Sequence, residues 1–264
     1  MIDALEEVWG SIAEACRGLA DADWERPTDC PGWTVRDQLS HLIGIERVLL
    51  GEEAPPFAGP MPAHVRNPIG ELNEAWVADR RRLPGAEVLT EFEEVAGRRL
   101  AELREMPGER FEVVGWSPIG QVPYREFMDV RVLDSWAHEQ DVRRALGRPG
   151  GRGGAGESVT LRRAAGAMGY VVAKKVGAAD GTTVVWEVAG PLPQAVAVVV
   201  QGGRGRLVER APADPTVRLE LDAEVFLRLG LGRVGADALE PSVVTVTGDQ
   251  ELGRRVLGAM AFMI

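Results

Sequence analysis

The chain has 264 residues, of which 45% are hydrophobic and 27% charged, and this composition is typical of soluble globular proteins. It contains no uncharged apolar run of about eighteen residues, its N-terminal segment is acidic, and its two cysteines form no CxxC motif, so we expect a cytoplasmic protein without a membrane span or disulfide framework. The formal net charge is -10, with 28 acidic and 17 basic side chains in residues 1–150, which disfavours binding to nucleic acids and to membrane surfaces.

The first half of the chain has the periodicity of helices. Apolar side chains recur at steps of three and four over residues 5–19, which predicts a first helix. Thr34 and Asp37 have the spacing of a capping box, with aspartate in place of the usual glutamate or glutamine. They predict that a second helix begins there, and its apolar pattern ends near Gly51.

Five prolines in residues 52–68 indicate an irregular connection. A helical pattern resumes over 72–103 with a break at Pro84, and Pro123 is placed to begin a last long helix that runs to about Leu146. These helices together predict an all-α, up-and-down four-helix bundle.

Six glycines and one proline in residues 147–156 cannot hold a helix or strand, and they predict a domain boundary. We therefore divide the chain into a helical domain (1–148), a Gly-rich linker (149–156) and a smaller second domain (157–264). The linker also matches GxGxxG, but it follows a predicted helix and lacks the strand that a nucleotide-binding loop requires.

The second domain is predicted to be α+β. A helical pattern over 158–176 precedes short β-branched runs at 182–188, 195–201, 216–221 and 243–247. Asp222 and Asp249 are each placed to cap a following helix.

One face of the last bundle helix, expected to be apolar, is instead polar. Arg131, Asp134, His138 and Asp141 recur at steps of three and four, so their side chains share that face. Asp134 and His138 could hold a divalent metal such as zinc with His41 of the second helix as third ligand. The same spacing is more common in surface ion pairs than in metal sites, and a lone histidine such as His41 is commonly structural.

Two motifs in this half resemble those of a known family. Residues 24–42 read WxxPTxCPGWTVRDxxxHL and residues 131–143 read RxxDxWxHEQDVR. Both are similar to motifs of the mycothiol-dependent maleylpyruvate isomerase family, within the DinB-like superfamily of metal-binding bundles. The resemblance implies that His41, Asp134 and His138 bind the metal, although Asp134 stands where the best-known member has glutamate.

The resemblance extends into the second domain. Residues 222–233 (DAEVFxxLxxGR) and 244–252 (VxVxGDxxL) are similar to the family's sterol-carrier-like C-terminal domain. The resemblance as a whole implies an enzyme that binds zinc or a similar ion and uses mycothiol as cosubstrate. It also implies that this enzyme acts as an isomerase or S-transferase on a small electrophilic substrate. A thiol-independent hydrolase and a non-catalytic metal-binding or ligand-binding protein stay open as alternatives.

Four further residues have a position in the sequence that predicts a role or a location. We choose Arg233 as a catalytic residue that could clamp a substrate carboxylate, although an arginine after a helix C-terminus is also a common surface feature. Arg131 is placed to hold the Asp134 carboxylate. Cys30 belongs to a turn, and His64, in the proline-rich connection, is expected to face solvent. Nothing in the sequence requires an oligomer, so we expect a monomer.

Overall fold

A computed structural model describes residues 1–263, which fall into two compact units: unit 1 is Met1–Glu157, and unit 2 begins at Ser158. Unit 1 is built from helices and one short β-hairpin, and unit 2 combines helices with a β-sheet. The predicted order of a helical domain followed by an α+β domain is confirmed. Over the described residues, no helix is both long enough and apolar enough to cross a membrane.

The helices of unit 1 pack around a core of aliphatic and aromatic side chains. The bounds of the elements are α1 Ile2–Cys16, α2 Asp21–Trp24, α3 Val35–Leu49, α4 Pro68–Arg80, α5 Gly85–Glu105, β1 Val114–Ser117, β2 Gly120–Pro123 and α6 Tyr124–Leu146. Helix α1 packs against α5 and α6, and α3 packs against α4, α5 and α6.

Local signals in the sequence set the ends of the two helices that matter most for the site. Thr34 caps α3: its hydroxyl accepts from Asp37 N, and Asp37 Oδ2 accepts from Thr34 N, which completes the predicted capping box. Helix α6 follows Pro123 and ends at Gly147, which adopts the left-handed conformation at φ 64°. These boundaries agree with the sequence prediction.

The Gly-rich segment packs onto unit 1 rather than standing away from it. Trp136 Nε1 donates to Gly151 O at 2.8 Å, and the Glu7 carboxylate accepts from the backbone N–H groups of Ala155 and Gly156 at 3.1 and 3.2 Å. The next helix, α7 (Ala155–Tyr170), begins inside this segment, earlier than predicted, and continues as a π-helical turn over Val171–Lys175.

Unit 2 contains a five-stranded sheet and two helices that follow predicted caps. Their bounds are β3 Thr183–Ala189, β4 Gln194–Gln201, β5 Arg204–Leu207, β6 Val217–Asp222, α8 Ala223–Gly230, β7 Val244–Gly248 and α9 Gln250–Ala259. The strand order is β5-β4-β3-β6-β7, and within this sheet only β3 and β6 are parallel. Both caps are present: Asp222 accepts from Glu224 N, and Asp249 accepts from Leu252 N.

Candidate metal centre

Helices α3 and α6 bring the three predicted ligands together inside unit 1. Ligand atoms of His41, Asp134 and His138 all lie within 4.8 Å of one another. His41 Nε2 lies 3.2 Å from Asp134 Oδ2, and His138 Nε2 lies 3.6 Å from Asp134 Oδ1. The two imidazole rings meet edge to face at 4.6 Å between centroids, and both histidines are buried.

This donor set fits a divalent metal ion of the zinc type. Two imidazole nitrogens and one carboxylate oxygen are ligands that zinc commonly takes, and three protein ligands leave coordination positions open. In addition, His41 Nδ1 is buried and has no hydrogen-bond partner among the described residues. The His41 ring therefore has one buried nitrogen that no described residue satisfies, while its Nε2 faces Asp134.

The three groups carry different charges in the metal-free protein. Burial lowers the pKa of His41 to about 4, so this imidazole is neutral near pH 7. Burial also acts to lower the pKa of His138, but the Asp134 and Asp141 carboxylates outweigh it and hold that pKa well above the usual range. Against its own desolvation, Arg131 holds the pKa of Asp134 well below the usual range, so Asp134 is ionised.

Arg131 holds the Asp134 carboxylate, as the sequence predicted. Its Nη1 donates to Asp134 Oδ2 at 2.6 Å, and its Nε donates to Glu46 Oε1 at 2.8 Å. Glu46 is buried on α3 and was given no role by the sequence analysis. A polar residue five positions after His41 was the available signal, but spacing alone does not place it against Arg131.

The other side of the His138 ring is also occupied. His138 Nδ1 donates to Gln38 Oε1, and it lies 3.6 Å from Asp141 Oδ2. Cys30 Sγ donates to the same Asp141 oxygen at 3.3 Å. Ligand atoms of Cys30, His138 and Asp141 also lie within 4.8 Å of one another, so the turn residue Cys30 lies closer to the site than the sequence indicated.

Trp33 forms one wall of the cluster. Its ring centroid lies 5.1 Å from that of His41 and 6.0 Å from that of His138, and its Nε1 donates to Glu74 Oε2 at 3.1 Å. His64 Nε2 lies 3.2 Å from the same Glu74 oxygen, and its side chain is 24% exposed. His64 is therefore only partly exposed to solvent, in contrast to the expectation, because its ring contacts the buried Glu74 carboxylate.

Arg233, the residue chosen for a catalytic role, belongs to unit 2. It follows α8, where its backbone N–H donates to Arg228 O and its Nη1 donates to Leu231 O at 3.1 Å. The helix C-terminus thus contributes to fixing its guanidinium.

Comparisons with known proteins agree with the sequence resemblance. A family model described as the mycothiol maleylpyruvate isomerase N-terminal domain matches residues 5–143, which include all three residues of the His41, Asp134 and His138 cluster. Uncharacterized proteins from two strains of Mycobacterium tuberculosis are 34% identical over 127 residues, 47% of this chain and 48% of each relative. The chain therefore aligns with about half the length of these curated relatives.

Two solved structures resemble the protein in fold. They are crystal structures of a mycothiol-dependent maleylpyruvate isomerase and of its histidine-to-alanine mutant, with TM-scores of 0.57 and 0.56. Each is 17% identical to this chain, and the alignment covers 93% of this chain and 91% of the other.

Proposed function

The chain belongs to the mycothiol maleylpyruvate isomerase N-terminal domain family, and we propose that it is a metal-dependent enzyme that uses mycothiol. The enzyme either isomerises a small electrophilic substrate or transfers the thiol to it. The observation that carries this proposal is the convergence of His41, Asp134 and His138 within the matched region. The proposed fold is a DinB-like four-helix bundle followed by a sterol-carrier-like domain, joined by residues 149–156. We further propose a cytoplasmic monomer with small-molecule partners rather than nucleic acid or membrane.

His41, Asp134 and His138 are the proposed metal ligands, and zinc is the proposed ion. When bound, such an ion stabilises a thiolate, the nucleophilic form of a thiol, near neutral pH. His41 is suited to this role because it is already neutral, and Asp134 because it is already ionised and held by Arg131. Gln38 fixes the His138 ring through Nδ1, which leaves Nε2 directed towards Asp134.

Arg233 is proposed as a catalytic residue that binds a carboxylate of the substrate. Its guanidinium can donate two parallel hydrogen bonds to a carboxylate, which fixes orientation as well as charge. Loss of this interaction in Arg233→Lys should raise KM for a carboxylate substrate without lowering metal content.

Metal content is the first test of the proposal. We expect about one zinc per chain in the wild type, measured by elemental analysis of untagged protein, and none in the double variant His41→Ala, His138→Ala. His64→Ala is the matched control, because His64 contacts Glu74 and lies outside the cluster of three ligands. Absence of metal from the wild type after reconstitution would contradict the proposal.

Thiol dependence is the second test, and it separates the enzyme classes. Turnover of maleylpyruvate or another small electrophile that requires both zinc and mycothiol supports the proposed function. Turnover with zinc alone would indicate a hydrolase that activates water, and ligand binding without turnover would indicate a binding protein. Each of these two outcomes would replace the mycothiol proposal.

A further inference from the structure

A chain of buried charges leads from Asp134 into the core of unit 1. Arg131 bridges the carboxylates of Asp134 and Glu46, and Glu46 Oε2 in turn accepts from Arg99 Nε at 3.1 Å. Arg99 also donates to Glu102 Oε2 at 2.7 Å. Glu46, Arg131 and Arg99 are 3%, 4% and 0% exposed, so these charges are shielded from solvent.

Stability alone does not account for this arrangement. Removing charged groups from water costs several kcal/mol per ion, and apolar side chains of similar volume commonly serve a core as well or better. The chain nevertheless places two arginines between α3, α5 and α6, and they pair with the carboxylates of Glu46, Asp134 and Glu102. Such a network has a clear use where it fixes the orientation of one group, and Asp134 is the member that reaches the metal cluster.

We propose that Glu46 is a positioning residue that acts on Asp134 through Arg131. Arg131 holds Asp134 Oδ2, so the carboxylate has one fixed orientation, with Oδ1 directed towards His138 Nε2. Glu46 fixes Arg131, and Arg99 fixes Glu46. The inference rests on the proposed function, because the position of Asp134 matters most if this residue binds the metal.

For the position of Asp134, the negative charge of Glu46 is as important as the shape of its side chain. Without it, the Arg131 guanidinium would be balanced mainly by Asp134 and would interact more strongly with that carboxylate, which would then be a weaker metal ligand. Glu46→Gln keeps the size of the side chain and removes only the charge. We therefore expect this variant to fold and to bind zinc at least tenfold more weakly, in line with other losses of a partner that orients a ligand.

Glu91→Gln is the matched control. Glu91 binds Arg80, another buried arginine, at 2.6 and 2.9 Å, and it also pairs with Arg47. The substitution therefore breaks a comparable ionic contact elsewhere in unit 1, outside the cluster of metal ligands. If Glu46 had a purely structural role, Glu46→Gln and Glu91→Gln would both be less stable than the wild type, and the two variants would bind zinc equally well.

The test measures zinc affinity by competition with a chromogenic chelator, and the visible spectrum of the cobalt(II)-substituted protein. The expected result is weaker zinc binding and an altered cobalt spectrum in Glu46→Gln, with both unchanged in Glu91→Gln. If folded Glu46→Gln kept the zinc affinity and cobalt spectrum of the wild type, the inference about Glu46 would be overturned and the proposed function would stand. Failure of wild type and Glu91→Gln to bind either metal would overturn the proposed function, and the inference with it.

A second variant covers the case in which Glu46→Gln does not fold. Arg131→Lys keeps the positive charge but replaces the planar fork that reaches both carboxylates with a single ammonium group. We expect the same loss of at least tenfold in zinc affinity and a similar change in the cobalt spectrum. Where Glu46→Gln and Arg131→Lys both fold, the double variant should bind zinc no more weakly than the weaker-binding single variant, because both residues act on Asp134 along one path. Additive losses of zinc affinity in the double variant would overturn the inference.

Discussion

The two cysteines lie in contrasting surroundings, and their reactivity should differ accordingly. Cys16 is fully buried on α1, and burial raises the pKa of its thiol to about 12, although Arg148 and Arg143 act in the opposite direction. Cys30 is partly exposed in the turn before α3. Because the thiolate is the reactive form, Cys16 should resist alkylation at pH 8 in the native protein.

We expect iodoacetamide to label at most one thiol in the native protein and two in denaturant, measured by mass spectrometry. Cys30→Ser should show no native labelling while still gaining one adduct on unfolding. Rapid labelling of native Cys30→Ser would mean that Cys16 is accessible, in conflict with its place in the core.

At the scale of residues, the sequence predicted which side chains of α6 share one face better than it predicted which residues those side chains contact. Arg131, Asp134, His138 and Asp141 share one face because helical spacing fixes it, and the structure shows that Asp134 is partly buried and the other three are buried. Glu46 was not predicted as a partner of Arg131, because the two are 85 residues apart and their contact depends on how α3 and α6 pack. Trp33 belongs to the N-terminal motif, but its contact with the imidazoles of His41 and His138 has no sequence pattern that would predict it.

At the scale of elements, one glycine controls how closely α3 and α4 pack. A Cβ added at Gly44 would meet the side chain of Trp76, at 2.8 Å from its Cδ1. The indole is buried against α3 and cannot retreat without opening the core. Gly44→Ala should therefore lower the free energy of unfolding by about 1–3 kcal/mol, although alanine is the better helix former.

Gly10→Ala is the control for this effect. Gly10 lies on α1, and an added Cβ there meets no atom within 4 Å. This substitution should raise the free energy of unfolding by about 0.5–1 kcal/mol, because only the conformational cost of glycine changes. Urea denaturation of both variants measures the difference, and destabilisation by both would show that Gly44 is not special.

The elements that the sequence predicted are those with strong local signals. Helices α3, α8 and α9 carry capping residues, and β3 and β4 are rich in valine. The hairpin of β1 and β2 and the edge strand β5 were not predicted. Each of these strands has four residues and includes glycine, so neither alternation nor β-propensity is expressed strongly enough to be seen.

At the scale of the whole molecule, the three proposed ligands all lie in unit 1, and this fixes where metal binding should add stability. Zinc at 100 times its Kd should stabilise the native state by about 2.7 kcal/mol. Six of the seven tryptophans also lie in unit 1, so fluorescence follows its unfolding almost selectively. Zinc should therefore raise the urea midpoint measured by fluorescence, and His41→Ala, His138→Ala should abolish the increase.

Hydrogen exchange can show whether the added stability is confined to that unit. Zinc should slow exchange of backbone amides in α3 and α6, because ligands on both helices are fixed by the same ion, and leave β3 and β4 of unit 2 unchanged. The double variant, measured with and without zinc, is the control for binding elsewhere. Equal slowing in both units of the wild type would contradict this prediction, because it would mean that the units open together and that the binding energy of one site is shared across the whole chain.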